Sequence, residues 1–92
     1  MNSYTIILTY KEGIYMSQVN SISEKTAIFD WIKKFDFDII PNISLDIRDR
    51  LNIELSKEYN EPVLLKGLKN VFCATCTIKR NLFLINIIKT VT

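Results

Sequence analysis

Two cysteines, in the pattern Cys73-Ala74-Thr75-Cys76, are the residues of this chain whose type and spacing most resemble a chemical site. A Cys-x-x-Cys pair can hold half of a structural zinc site or form a redox disulfide. Zinc takes four ligands, and the chain offers no histidine and no second cysteine pair, so the site would need an oligomer to complete it. A redox pair sits at a helix N-terminus, where the thiolate is stabilised. Here the surrounding segment, Val71 to Ile78, is β-prone, with Phe72, Ala74, Cys76 and Ile78 on one parity. In a regular strand, positions 73 and 76 point to opposite faces with Cα atoms ~10 Å apart. A disulfide requires less than ~7 Å. The expectation is therefore two reduced thiols, with Cys76 a core residue.

The absence of histidine removes the usual triad base, the commonest metal ligand and the side chain that titrates near neutrality. Acid–base chemistry would fall to carboxylates, Lys, Tyr or Cys. Asp36 and Asp38 flank Phe37, and Asp46 and Asp49 stand close together further on. Such pairs are commonly solvated or serve as helix caps. No P-loop, dinucleotide fingerprint or nucleophile elbow is present. No catalytic, cofactor-binding or metal-ligating residue is assigned, and the chain reads as a non-catalytic protein.

The elements that position these residues follow from periodicity. Tyr4, Ile6, Leu8 and Tyr10 alternate with Thr5, Ile7 and Thr9, the pattern of a strand. Lys11-Glu12-Gly13 then reads as a three-residue hairpin loop, with Gly13 in the left-handed region. That loop predicts the pairs Tyr10–Ile14, Leu8–Met16 and Ile6–Gln18. Ser21 and Glu24 have the spacing of a capping box. Beyond them, Ile28, Trp31, Ile32 and Phe35 recur at i, i+3, i+4 and i+7, one face of a helix ending before Pro41.

Residues 43–59 carry two signals. Strand parity is present, but Ile43, Ile47, Leu51, Leu55 and Tyr59 also repeat every four residues. Ser44 as a cap and Asp46 with Arg50 as an i, i+4 pair favour a second helix. Val63-Leu64-Leu65 reads as a short extended piece before a Lys66-Gly67 turn. Lys79-Arg80-Asn81 repeats the first loop, with Asn81 as the left-handed residue, and a last strand runs from Leu82 to about Val91. The predicted fold is a single α+β domain over residues 1–92 in ββααββ order. Its four-stranded antiparallel sheet comes from two hairpins, with one or two helices packed on one face.

A chain of 92 residues can bury one core without disulfide or metal staples. A net charge of +2, without runs of like charge, is less than a dedicated nucleic-acid binder usually concentrates. No secretory signal or membrane-length apolar run is visible, so a cytoplasmic protein without membrane contact is expected.

From Tyr4 to about Phe35, a hairpin with a glycine near its turn precedes a helix, and in this the segment resembles the HicB antitoxin family. It departs from that family in lacking the Pro and Gly-Cys features after the second strand. No residue role is carried over.

The last strand is apolar on both parities: Leu82, Leu84 and Ile88 on one, Phe83, Ile85, Ile87 and Val91 on the other. Strands covered on both faces read this way, yet both helices fit on one face. In the register of a Lys79-Arg80-Asn81 loop, Phe83 faces Thr77, Ile85 faces Thr75 and Ile87 faces Cys73. The sequence therefore points to Phe83, Ile85, Ile87 and Val91 as an interaction surface, unless the second helix or Val63 to Leu68 crosses over it. The expected function is a small protein-binding module, of the class that includes inhibitory and immunity-type proteins, contacting another protein or a second copy of itself. The alternative is a nucleic-acid-binding accessory protein, with Tyr4, Tyr10 and Tyr15 on strands and Lys11, Lys79 and Arg80 in turns.

Overall fold

A computed structural model describes residues 1–55 and 62–90. The chain is α+β. Strands β1 (Asn2–Tyr10) and β2 (Gly13–Ser21) form a hairpin, followed by helix α1 (Glu24–Lys34), a 3-10 turn (Phe37–Ile39) and helix α2 (Leu45–Leu55). Three strands follow: β3 (Val63–Leu64), β4 (Val71–Ile78) and β5 (Asn81–Thr90). They make one antiparallel sheet in the order β2-β1-β5-β4-β3, five strands rather than the four expected, with Val63–Leu64 supplying the extra edge. Expectations for Tyr59, Asn60, Glu61 and Val91 lie outside the described residues.

Both hairpins close more tightly than the sequence suggested. Tyr10 pairs with Gly13 and Ile78 with Asn81, leaving two-residue loops, Lys11-Glu12 and Lys79-Arg80. Positive φ falls on Lys11 (54°), Lys79 (51°) and Arg80 (68°), the handedness that matches the twist of two-residue hairpins. Gly13 and Asn81 are not the left-handed residues. The glycine serves a different need: a Cβ at Gly13 would stand 2.6 Å from Cζ of the Tyr15 ring, so the ring lies over a position where no side chain fits. Gly67 does use its freedom, at φ 84° in the turn after β3.

A one-residue change in loop length turns a strand over. Tyr4, Ile6, Leu8 and Tyr10 of β1 are buried as expected, but their partners on the core face are Val19, Ser17, Tyr15 and Gly13 rather than Gln18, Met16 and Ile14. In the second hairpin Phe83 pairs with Cys76, Ile85 with Ala74 and Ile87 with Phe72. These apolar side chains share one face with Tyr10, Leu8 and Ile6 of the neighbouring β1. The Phe83 ring stacks on Tyr10 with centroids 4.2 Å apart and planes 9° apart.

Helix α1 begins at Ser23. The Ser23 hydroxyl accepts from the backbone N–H of Thr26 (3.3 Å), and Thr26 Oγ1 accepts from the backbone N–H of Ser23 (3.1 Å). This capping box stands two residues beyond the expected Ser21–Glu24 pair, and a cap of this kind contributes about 1 kcal/mol. Ser21 is buried instead. Its hydroxyl donates to Asp30 Oδ2 (2.7 Å) and lies 2.6 Å from Thr26 Oγ1, tying the end of β2 to the helix. Ile28, Trp31 and Ile32 are buried with Ala27, and the Trp31 Nε1–H donates to Ser17 Oγ at 2.8 Å.

Helix α2 confirms the helical reading of the four-residue repeat over its described part. Ser44 Oγ accepts from the backbone N–H of Ile47 (3.2 Å), and Leu51 and Leu55 are buried. Between the helices, Phe37 is buried edge-on to Phe35, and the Arg48 guanidinium lies 5.1 Å over the Phe37 ring. Both helices contribute to one core with the inward sides of β1, β4 and β5. At roughly 1.5–3 kcal/mol per fully buried large apolar side chain, this core and not the surface ion pairs holds the domain together.

Candidate interaction surface

Phe83, Ile85 and Ile87, the residues expected to form a contact surface, are each 0% exposed beneath the helices. They form the centre of the core, and the open face of the sheet is the opposite one. The correction has a single cause: the loop after β4 is two residues long, so these side chains join the parity of Ala74 and Cys76 instead of that of Thr75 and Thr77.

Strand pairing defines the open face. From β1 it receives Ser3, Thr5, Ile7 and Thr9, and from β2 it receives Ile14, Met16, Gln18 and Asn20. β5 adds Leu82, Leu84, Asn86, Ile88 and Thr90. β4 adds Val71, Cys73, Thr75 and Thr77, and Val63 of β3 pairs with Cys73 at the edge. No helix among the described residues packs on this face. Ile14 is 67% exposed, Met16 66% and Leu82 54%.

The composition of this face is unusual. The chain has 12 Lys and Arg and 10 Asp and Glu, yet not one of the residues named above is charged. A solvated surface normally carries about a quarter to a third charged residues. Among the described residues the charges lie on the helices, turns and loops, apart from Lys89, which is on the helix-side parity of β5 opposite Tyr4. Ile7, Leu84 and Ile88 flank Asn86 in the middle of the face, and threonines with Gln18 and Asn20 lie around them. Ile7, Leu84 and Ile88 are themselves half-buried, and Ile14, Met16, Val63 and Leu82 are the exposed large apolar residues of the face.

Among the described residues, the two cysteines lie on opposite faces of the sheet, and Asp36, Asp38 and Asp46 each serve as a cap or an ion-pair partner. Cys73 lies half-buried on the open face and Cys76 lies buried on the core face, both as free thiols. Burial raises the Cys73 thiol above its ordinary value. Burial, with the Glu54 carboxylate nearby, pushes Cys76 up to about 11. Both shifts keep sulfur protonated at neutral pH, the opposite of a redox or nucleophilic cysteine.

Asp36 caps the 3-10 turn by accepting from the backbone N–H of Asp38 at 3.0 Å. Asp46 pairs with Lys79 across the α2–hairpin boundary, rather than with Arg50 as its principal partner. The Lys79 hydrogen bond and charge hold the Asp46 carboxyl below its ordinary value. No cluster of three metal-ligating side chains occurs among the described residues.

A cleft of 370 Å³ lies between the first hairpin turn and the segment after α1, walled by Tyr10, Tyr15, Ile40 and Pro41. Lys11 and Glu12 at its rim are solvent-exposed, so it lacks the convergent buried polar groups of a catalytic pocket.

The tyrosine platform expected for base stacking is also rearranged. Tyr4 (1% exposed) and Tyr10 (3%) are core residues, and Tyr15 is half-buried on the helix side. None of them reaches the open face. No helix among the described residues is long and apolar enough to cross a membrane. No protein-family model, curated protein or solved structure matches this chain.

Proposed function

We propose that this protein is a non-catalytic protein-binding module that acts through the open face of its sheet. The observation that carries the reading is the absence of charge across that face in a chain whose overall charged fraction, 24%, is ordinary. Interface cores are depleted of charged residues in this way, because an unpaired charge trapped between two proteins loses its hydration. Ile7, Leu84 and Ile88 around the central Asn86 supply apolar area, and the threonines with Gln18 and Asn20 supply hydrogen bonds towards the rim. A role in inhibiting or protecting another protein belongs to this class of function. The nucleic-acid alternative receives less support, since two of its three strand tyrosines are buried.

The test is affinity capture from native lysate on immobilised wild type and on Met16→Lys, each with and without nuclease. Met16 is exposed, so the variant should fold. Proteins retained by wild type, lost by Met16→Lys and indifferent to nuclease support the reading. Retention that ignores Met16→Lys, or that vanishes with nuclease, refutes it.

A further inference from the structure

The binding-surface reading leaves the partner open, and the inference drawn here rests on that reading. We propose that the partner is a second copy of this chain, packed open face to open face about a two-fold axis, so that the dimer has helix, sheet, sheet and helix layers.

Charge supports this first. Complexes between different proteins use complementary charge for steering and register, and this face offers none. Homodimer interfaces are the more apolar kind. A two-fold interface brings each patch against itself, which any set of like charges would oppose. A charge-free face is the composition that tolerates meeting its own copy.

Area supports it second. Four long strands spaced ~4.8 Å apart, each about nine residues at ~3.3 Å, present roughly 600 Å². Two such faces together bury about 1,200 Å², the lower bound of a stable, specific interface. Stacked sheets lie ~10 Å apart with interdigitated side chains, which the mixture of large Ile, Leu and Met with smaller Thr permits.

Asn86 supports it third. It sits in the middle of the face, paired with Ile7 on one side and Cys73 on the other. An amide buried against a purely apolar partner would lose its hydrogen bonds to water without replacement. An identical amide approaching across a two-fold axis returns both a donor and an acceptor. Asn86 thus favours a symmetric mate, as a lone buried asparagine fixes the pairing of coiled-coil helices.

The experiment measures mass by sedimentation velocity from about 1 to about 200 μM, a range suited to a small interface. Wild type is expected to move from monomer to dimer with rising concentration. Asn86→Asp and Asn86→Lys each place like charges across the axis, and each should weaken self-association by about tenfold or more. An equimolar mixture of the two should regain a heterodimer, which only direct juxtaposition of the two Asn86 positions explains. The alkylation rate of Cys73 on the same face should fall as the wild-type dimer forms. A dimer unaffected by either Asn86 variant, or a mixture that stays monomeric, overturns the arrangement. A wild type that is monomeric throughout overturns the second-copy partner. In that case, lysate proteins that still depend on Met16 leave the binding-surface reading standing, and their absence removes both.

Discussion

Trp31 anchors α1 to the sheet and braces the end of the helix, and its removal should be felt in both. The indole is 2% exposed, its Nε1–H donates to Ser17 Oγ at 2.8 Å, and its ring lies 5.0 Å from that of Phe35. Trp31→Ala should cost about 3–5 kcal/mol, the range for large aromatic truncation in a core. Trp31→Phe keeps most of the apolar area and removes the donor, so it should cost less, about 1–2 kcal/mol. A domain of this kind has a total stability of about 5–15 kcal/mol, so the alanine variant loses a large share. With a urea dependence of about 1.5 kcal/mol/M, its midpoint should fall by roughly 2–3 M. Far-UV circular dichroism is the readout, because Trp31 is the only tryptophan and its fluorescence vanishes with the substitution. A midpoint for Trp31→Ala equal to that of wild type would refute the packing argument. Equal losses for the Phe and Ala variants would show that the hydrogen bond, and not the buried ring, is what matters.

Further expectations separate the two faces of the sheet and the titrating groups. Ile85→Lys should unfold the protein, since it places an unpaired charge in the core, whereas its neighbour Leu84→Lys on the open face should retain a cooperative thermal transition; equal outcomes would contradict the face assignment. Iodoacetamide should modify Cys73 before Cys76, followed by peptide mass spectrometry, and a faster Cys76 would contradict its burial. Because folding raises Cys76 above the ordinary 9.0, its contribution to stability is complete below pH 9 and should decline as pH rises towards 11; Cys76→Ala should lack this alkaline decline. Asp46 has the opposite sign: its lowered value means that pairing with Lys79 helps above the ordinary 3.8 and is lost as pH falls below it. Asp46→Asn should therefore differ slightly from wild type at neutral pH and converge with it in acid; a difference that persists at low pH would point to another cause.

The sequence made α1 legible because Ile28, Trp31 and Ile32 leave a single stripe, and α2 legible because Leu51 and Leu55 complete a four-residue repeat with a Ser44 cap. β1 was equally clear, with Tyr4 to Tyr10 alternating cleanly. The facing of β2 and β5 was not. β5 is apolar on both parities, so burial could not choose between Leu84 and Ile85, and the choice rested on loop length. Gly13 and Asn81 looked like left-handed residues that lengthen the loops, but Lys11, Lys79 and Arg80 adopt positive φ instead. Nothing in a lysine or arginine signals that conformation; tertiary pairing imposes it. The lack of charge on both parities of β1, β2 and β4 was the one sequence signal that the face opposite the core is uncharged. Which residues share that face becomes visible only when the strands are laid side by side in their true register.

The position of β1 in the sheet has a consequence for how the chain reaches this structure. β1 lies between β2, its neighbour in sequence, and β5, the last strand described, with Tyr4 opposite Lys89. Each hairpin can form by local contacts, but the seam that joins them closes a loop of most of the chain and is the slow, entropically demanding step. During synthesis β1 therefore waits as an unprotected edge until β5 has emerged. The buried positions of β1 are Tyr4, Ile6, Leu8 and Tyr10, so a strongly apolar strand is exposed for that interval. Sequence changes that hasten the second hairpin shorten that exposure, and they can raise the yield of folded protein without adding a single contact to the finished domain.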